Sequence, residues 1–470
     1  MSYPKIKDGS YIYILLYLAL TAIIARYSVA VTTVIILIVL IVVLYQITIK
    51  VGKENLLIIT MPVQRIFIEI GFALKPFYLV IALIIFIYLV KSALSLRVEK
   101  SIFAIRKPDS FFLLCLLFVL SLLFATVING AHVVSFRHII VLIIVITGAF
   151  FVYRSINSFS DISKLFDVYL VTGLIMGVIG LLLYGLFFIN PGLCSPGSLF
   201  EGVTFDYERA WSWPLLQSVE ISSNAYAMTL LPFMFIAIYK FKIEWKLSRK
   251  IYIAFIFALL FVNLLLSFSR AGVMAFFAAY FTLILIRLKS IKSWVMLFAI
   301  IFVFIIGWPV IMELYKIYSI MKGSSPGSEV VMLSNRDELL LRSWEIYLQH
   351  PLFGVGQGLI VEPEYLGKQS HNTYIELLAE NGIFVFTIFI LICAIVIKRI
   401  IAVYKLIIDD SSLNLYFTPL VLGFIALTIA IIPTSAITSL VLWVHFAVIL
   451  AFHKVVVKEG VLKMRSHLLV

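Results

Sequence analysis

The stretch FFLLCLLFVLSLLFATVI, residues 111–128, holds eighteen residues without a charge, and Arg106, Lys107 and Asp109 stand just before it. A bilayer core about 30 Å thick needs about 20 apolar residues in a helix. This run is therefore read as a membrane-spanning helix with its basic flank in the cytoplasm. Working outward, comparable runs lie at 11–25, 29–49, 76–90, 138–152, 165–189, 223–239, 251–268, 272–286, 294–312, 382–397, 415–432 and 437–453. Segment 55–72 carries Pro62, Arg65 and Glu69, and reads as a short interfacial helix or a poor span. The expected fold is an all-α, polytopic bundle of 12–14 transmembrane helices.

Composition agrees. Of 470 residues, 63% are hydrophobic and 13% charged, whereas a soluble domain runs nearer half apolar and a quarter charged. The net charge of +13 raises the question of nucleic acid. The basic residues, however, sit in short segments between apolar runs, among them Lys240–Lys250, Arg287–Lys292 and Lys398–Lys405. No basic face interleaved with aromatics exists, which argues against nucleic acid. With 91–110 inside, strict alternation places 153–164, 240–250, 287–293, 398–414 and the tail inside too. The positive-inside rule is met at each crossing. Cys115, Cys194 and Cys393 have no CxxC or metal spacing, so neither a disulfide framework nor a zinc site is indicated, and no metal or cofactor is expected. The N-terminus reads as a retained first span.

Polar residues gather in two outside loops. The first, 190–222, contains Arg209 among Trp211, Trp213, Asp206 and Glu208. The second, 313–381, is about 70 residues long and divides the chain into membrane helices 1–312, a partly helical extracytoplasmic loop, and membrane helices with a cytoplasmic tail, 382–470. Within it, Ser334 and Asp337 resemble a capping box opening a helix that Pro351 ends, with Leu340, Trp344, Tyr347 and Leu348 as an apolar stripe facing membrane or loop. Arg336 falls in the first turn, where unpaired N–H groups already favour an anion. Arg342 lies about 120° further round, so the two arginines need not share a ligand. Gly354-Val-Gly-Gln-Gly358 has neither the strand before it nor the helix after it that a phosphate loop needs. It is read as a tight backbone passage. His371 and Asn372 then open a short helix expected to close near Asn381-Gly382 with a left-handed cap.

Ser269-Arg-Ala-Gly272, Arg336, His350-Pro-Leu-Phe-Gly-Val-Gly356, His371-Asn372 and Glu380-Asn-Gly382, in that order, resemble the O-antigen ligase and O-antigen polymerase family. The resemblance implies a metal-independent membrane glycosyltransferase of bacterial surface-polysaccharide assembly. Its donor would be an undecaprenyl-diphosphate-linked glycan, and its acceptor a hydroxyl on a glycan or lipid at the outer face of the inner membrane. It also implies Arg270, Arg336 and His371 as catalytic residues. Two arginines can hold a diphosphate and stabilise its leaving charge, and a neutral histidine can take the acceptor's proton.

Plainer readings stand beside these. An arginine at a helix end commonly snorkels, yet Arg270 lies on the side where positive charge is disfavoured. Arg209 is open between substrate binding and an ion pair in the interfacial belt. Arg342, Asn372 and Glu376 are candidate substrate-binding residues; a structural role is favoured for Arg342 and helix capping for Asn372. A flippase or other polysaccharide transporter is the competing function. Such proteins place ionisable residues and broken helices near the midplane, often in two related halves. Neither feature is seen in this sequence. Polymerase and ligase share the motif; the polymerase is preferred because nothing indicates a protein-acceptor domain.

Overall fold

Lipid offers no hydrogen bonds, so each spanning segment has to satisfy its backbone internally, and among the described residues the spans are helices. The computed structural model describes residues 68–69, 73–74, 80–81, 109–190, 203–205, 214–218, 220, 222–286, 336–408 and 410–467. Two compact units divide the chain, Met1–Arg106 and Lys107–Val470. In the first, β1 (Ile68–Glu69) pairs antiparallel with β2 (Ala73–Leu74). The close of segment 55–72 therefore holds a short strand at Ile68–Glu69, where a short interfacial helix or a poor span was expected, because the backbone there pairs with Ala73–Leu74. The spans expected at 11–25, 29–49 and 294–312 lie outside the described residues, as does 76–90 except for helical Val80 and Ile81.

The second unit contains ten helices among the described residues. They are α1 (Ser110–Ile128), α2 (Val133–Ser155), α3 (Phe159–Ile189), α4 (Ser223–Ile243) and α5 (Leu247–Leu266). Then follow α6 (Arg270–Ile286), α7 (Arg336–Gln349), α8 (Thr373–Ile407), α9 (Ser411–Ala430) and α10 (Leu440–His467). Eight of these are long and apolar enough to cross a membrane, and α6 is a shorter apolar helix. The chain is therefore an all-α, multi-pass membrane protein.

Two helices form the core. About four-fifths of the apolar window is buried in α4 (78%) and α10 (83%), against 28% in α8. Around α4 pack α3, α5, α6 and α9, and around α10 pack α2, α8 and α9. Among the spans, α4 is the least hydropathic and α1 the most; the most apolar surface is spent on lipid. Close approach comes from Gly173 and Gly177 of α3, which lie against Leu260 and Leu259 of α5. One polar knot ties the same helices together. The Asn263 side-chain amide donates to the carbonyls of Gly177 (3.1 Å) and Leu259 (2.8 Å), and its oxygen accepts from the Tyr226 hydroxyl at 3.0 Å.

The bundle has two chemically different ends. At one, Lys240 and Arg249 pair with Asp167 at 2.9 and 3.1 Å, and Lys454 donates to the Tyr153 carbonyl at 2.8 Å. Alternation of the helices carries the ends of α1, α3, α5 and α9, and the starts of α2, α4, α6, α8 and α10, to the opposite end. Arg270 and His371 are both there.

Candidate functional site

His371 directly precedes the N-cap of α8. Its φ is +56°, in the left-handed region that a residue with a side chain seldom enters. Both neighbours hold it. On its C-terminal side, Asn372 Oδ1 accepts from the N–H groups of Tyr374 (3.0 Å) and Ile375 (3.1 Å), so this side chain caps the helix. On the other side, the Ser370 hydroxyl donates to Glu376 Oε2 at 3.0 Å. That oxygen also accepts from the Ser435 hydroxyl of the α9–α10 turn. Glu376 thus joins the residue before His371 to a turn about sixty positions away. Thr373 strengthens the joint: its hydroxyl donates to the Thr434 carbonyl and accepts from the Ala436 N–H at 3.0 Å. Asn372 and Glu376, both candidate substrate ligands from sequence, spend these atoms on placing His371.

The glycine run explains how the loop reaches this helix. Val355 N–H donates to the Ala379 carbonyl (3.1 Å), Gly356 N–H to the Glu380 carbonyl (2.7 Å), and Ile383 N–H to the Pro351 carbonyl (2.9 Å). The two motif segments 351–358 and 379–383 therefore interlock backbone to backbone. A Cβ at Gly354 would lie 2.2 Å from the Glu380 carbonyl carbon, and one at Gly382 2.2 Å from the Leu352 oxygen. Side chains seal the joint. Glu380, fully enclosed, accepts from Gln357 Nε2 at 2.7 Å and from the N–H groups of Gly358 and Ile360. Gln357 Oε1 in turn accepts from Asn381 at 2.9 Å. Burying a carboxylate is costly unless donors surround it, and here three do.

The helix break at Gly382 differs in kind from the left-handed cap expected. Its φ of 72° comes with a ψ of −176°, a region essentially closed to every residue but glycine. The chain then resumes as helix with hardly a pause. Extended backbone at this one residue lets α8 change course while Ile383 bonds across to Pro351.

The turn carrying Arg270 is equally specified. The Ser269 hydroxyl accepts from the Gly272 N–H (3.1 Å) and contacts Asn224 Oδ1 of α4 at 2.7 Å. A Cβ at Gly272 would lie 2.5 Å from that of Ala227, so α6 and α4 touch at this point. Ser269 and Gly272 are thus enclosed, whereas Ala271 is half-buried and Arg270 is exposed. Among the described residues it has no ion-pair partner.

Arg336 opens α7, with its backbone at the helix start as expected; its side chain and Ser334, the expected cap, lie outside the described residues. Arg342 points to solvent and pairs with Glu338 one turn back at 2.5 Å, an exposed pair of small energetic weight. Arg209 also lies outside the described residues. It falls between β3 (Val203–Phe205) and β4 (Pro214–Leu216), an antiparallel pair that ties the 190–222 loop back on itself. Among the described residues no cluster of His, Cys, Asp or Glu could hold a metal ion.

Sequence reasoning missed Gln357, Glu380 as a buried anchor, Ser435, and Asn129, whose amide donates to the Phe353 carbonyl at 3.2 Å. A glutamine inside a glycine run offers a weak signal; Ser435 offers none.

Arg270, the start of α7, the glycine interlock and His371 all fall within one family domain: residues 255–390 match the family model described as O-antigen ligase. No curated protein matches the chain. The likeness read from the ordered motifs is upheld, and this multi-pass membrane protein carries the O-antigen ligase domain over residues 255–390.

Proposed function

We propose that the chain transfers a glycan from an undecaprenyl-diphosphate carrier to an acceptor hydroxyl at the outer face of a bacterial inner membrane, and that it acts as a polymerase. The observation that carries this reading is that Arg270 and His371 stand at the same end of the bundle, within the O-antigen ligase domain. The basic pairs Lys240–Asp167 and Arg249–Asp167 mark the other end, which supports a cytoplasmic position for that end and an outside position for the site.

In the proposed reaction the acceptor oxygen attacks the anomeric carbon. The bond from that carbon to the carrier's diphosphate breaks, and the diphosphate departs with the electron pair. Arg270 and Arg336 hold the diphosphate and offset the charge that grows as it leaves. The acceptor's proton passes to His371, which needs to be neutral to receive it. Glu376, Ser370 and Ser435 act by fixing the backbone on which His371 stands. The loop 313–381 serves as the catalytic region between the two sets of membrane helices.

Polymerase and ligase are separated by deleting the gene and running the surface glycan on a gel. A polymerase leaves single-repeat product and no ladder, whereas accumulation of full-length carrier-linked chains would make the protein a ligase. Retention of a normal ladder would remove it from glycan transfer altogether. With arginines stabilising the diphosphate, transfer in washed membranes is expected to survive EDTA with less than about a twofold loss. A strict requirement for added divalent metal would contradict that role.

A further inference from the structure

The stripe expected on α7 divides into two faces. Leu339, Leu340, Ile346 and Tyr347 are half-buried around enclosed Ser343 on the side that meets α8. Leu341 (65% exposed), Trp344 (44%) and Leu348 (60%) turn away from the protein. At 100° per residue these three fall within an arc of about 60°. Glu338, Arg342, Glu345 and Gln349 are exposed in a polar row along one side of that arc. A helix packed against its own protein by one face has no structural need of a second apolar stripe.

The stripe does not end in water. Beyond Pro351, Leu352 is also exposed, and the Phe353 ring packs against Phe124 of α1 at 5.5 Å and Phe384 of α8 at 5.7 Å. Phe124 lies one turn inside the end of α1, and Phe384 opens the spanning part of α8. Both are more than half exposed on the outward surface of spanning helices. Asn129 fixes this depth through its bond to the Phe353 carbonyl at 3.2 Å. The C-terminus of α7 is therefore moored level with the last turn of a membrane span. Past exposed Gln349, His350 and Pro351, the chain leads from this stripe to exposed Leu352 and to Phe124 and Phe384 on the outward surface of the spans.

We propose that α7 is an interfacial helix, lying on the bilayer with Leu341, Trp344 and Leu348 in the headgroup–acyl boundary and the Glu338–Gln349 row toward water. Its partner is the lipid surface. An amphipathic helix with tryptophan at the boundary is suited to that position, and the same stripe facing water would be an association hazard. The proposal is independent of the glycan reaction and stands or falls without an activity assay. If both hold, α7 keeps Arg336 at headgroup depth, the depth of a lipid-borne diphosphate.

The test uses the full chain in nanodiscs of phosphatidylethanolamine and phosphatidylglycerol. Leu341→Cys, Leu348→Cys, Glu345→Cys and Gln349→Cys are made one at a time in a Cys115→Ala, Cys194→Ala, Cys393→Ala background and spin-labelled. Collision with oxygen, relative to collision with a water-soluble nickel chelate, is expected to be about fivefold or more greater at 341 and 348 than at 345 and 349. Equal ratios at all four positions would place the stripe in water. Exclusion of both reagents from 341 and 348 would mean that protein covers it. Either result overturns the proposal. Should the cysteine-free background fail to fold, brominated acyl chains are applied to the native protein and to Trp344→Phe. Quenching of the Trp344 component, taken by difference, supports the membrane position, and its absence refutes it.

Discussion

His371→Ala is expected to reduce glycan transfer in membranes by about 100-fold or more, the usual worth of a positioned general base, with the protein still inserted at its normal level. The bonds that seat the backbone of this residue are made by its neighbours. Asn372 caps α8, while Ser370 makes the tie to Glu376; alanine at 371 removes an imidazole and none of these bonds. One complication is the φ of +56°, which alanine tolerates less readily than histidine. His371→Asn controls for it, since asparagine enters the left-handed region with ease yet cannot serve as the base. Both variants are expected to be equally inactive. Near-normal transfer in His371→Asn, measured as incorporation of labelled glycan, would sink the assigned role.

Gly382→Ala is expected to cost about 3 kcal/mol or more of stability and to abolish transfer together with it. The added Cβ would stand 2.2 Å from the Leu352 oxygen, 2.3 Å from its carbonyl carbon and 2.5 Å from the Phe353 nitrogen. These are backbone atoms held by the interlock, so no rotamer change relieves the clash. The φ of 72° adds conformational strain on top. Gly367→Ala is the natural comparison. Gly367 also has a positive φ, 66°, but its nearest neighbour to a new Cβ is 4.0 Å away. Only strain of about 1 kcal/mol is expected there. A thermal unfolding midpoint in detergent should fall markedly more for Gly382→Ala than for Gly367→Ala; equal midpoints would mean that the interlock adds nothing to strain alone.

The membrane helices were readable because lipid imposes a rule that acts on each segment separately. A run such as 111–128 has few alternatives to a spanning helix, whatever the rest of the chain does. Loop segments obey no such local rule. The stripe on α7 was visible as Leu340, Trp344, Tyr347 and Leu348, but helical period alone could not divide it between α8 and the exterior. That division depends on which helix packs behind. The glycine run was legible as a tight passage, yet its partner was not. Pairing of 355–356 with 379–380, and of Glu380 with Gln357, is set by tertiary register and leaves no spacing pattern. The same holds for Ser435, whose bond to Glu376 spans fifty-nine positions. Arg270 was the reverse case. Ser269-Arg-Ala-Gly272 is legible as a motif, and packing explains Ser269 and Gly272 while Arg270 stays exposed.

On the proposed function, this end of the bundle handles a lipid-borne diphosphate through arginine and transfers its glycan. Arg336→Ala, assayed in membranes with a diphosphate-linked glycan donor, tests it most directly. With the protein inserted and α7 intact by the spin-label pattern, both chain extension and release of the free lipid diphosphate are expected to vanish together. Transfer at near wild-type rate in that variant would mean that Arg336 does not hold the diphosphate.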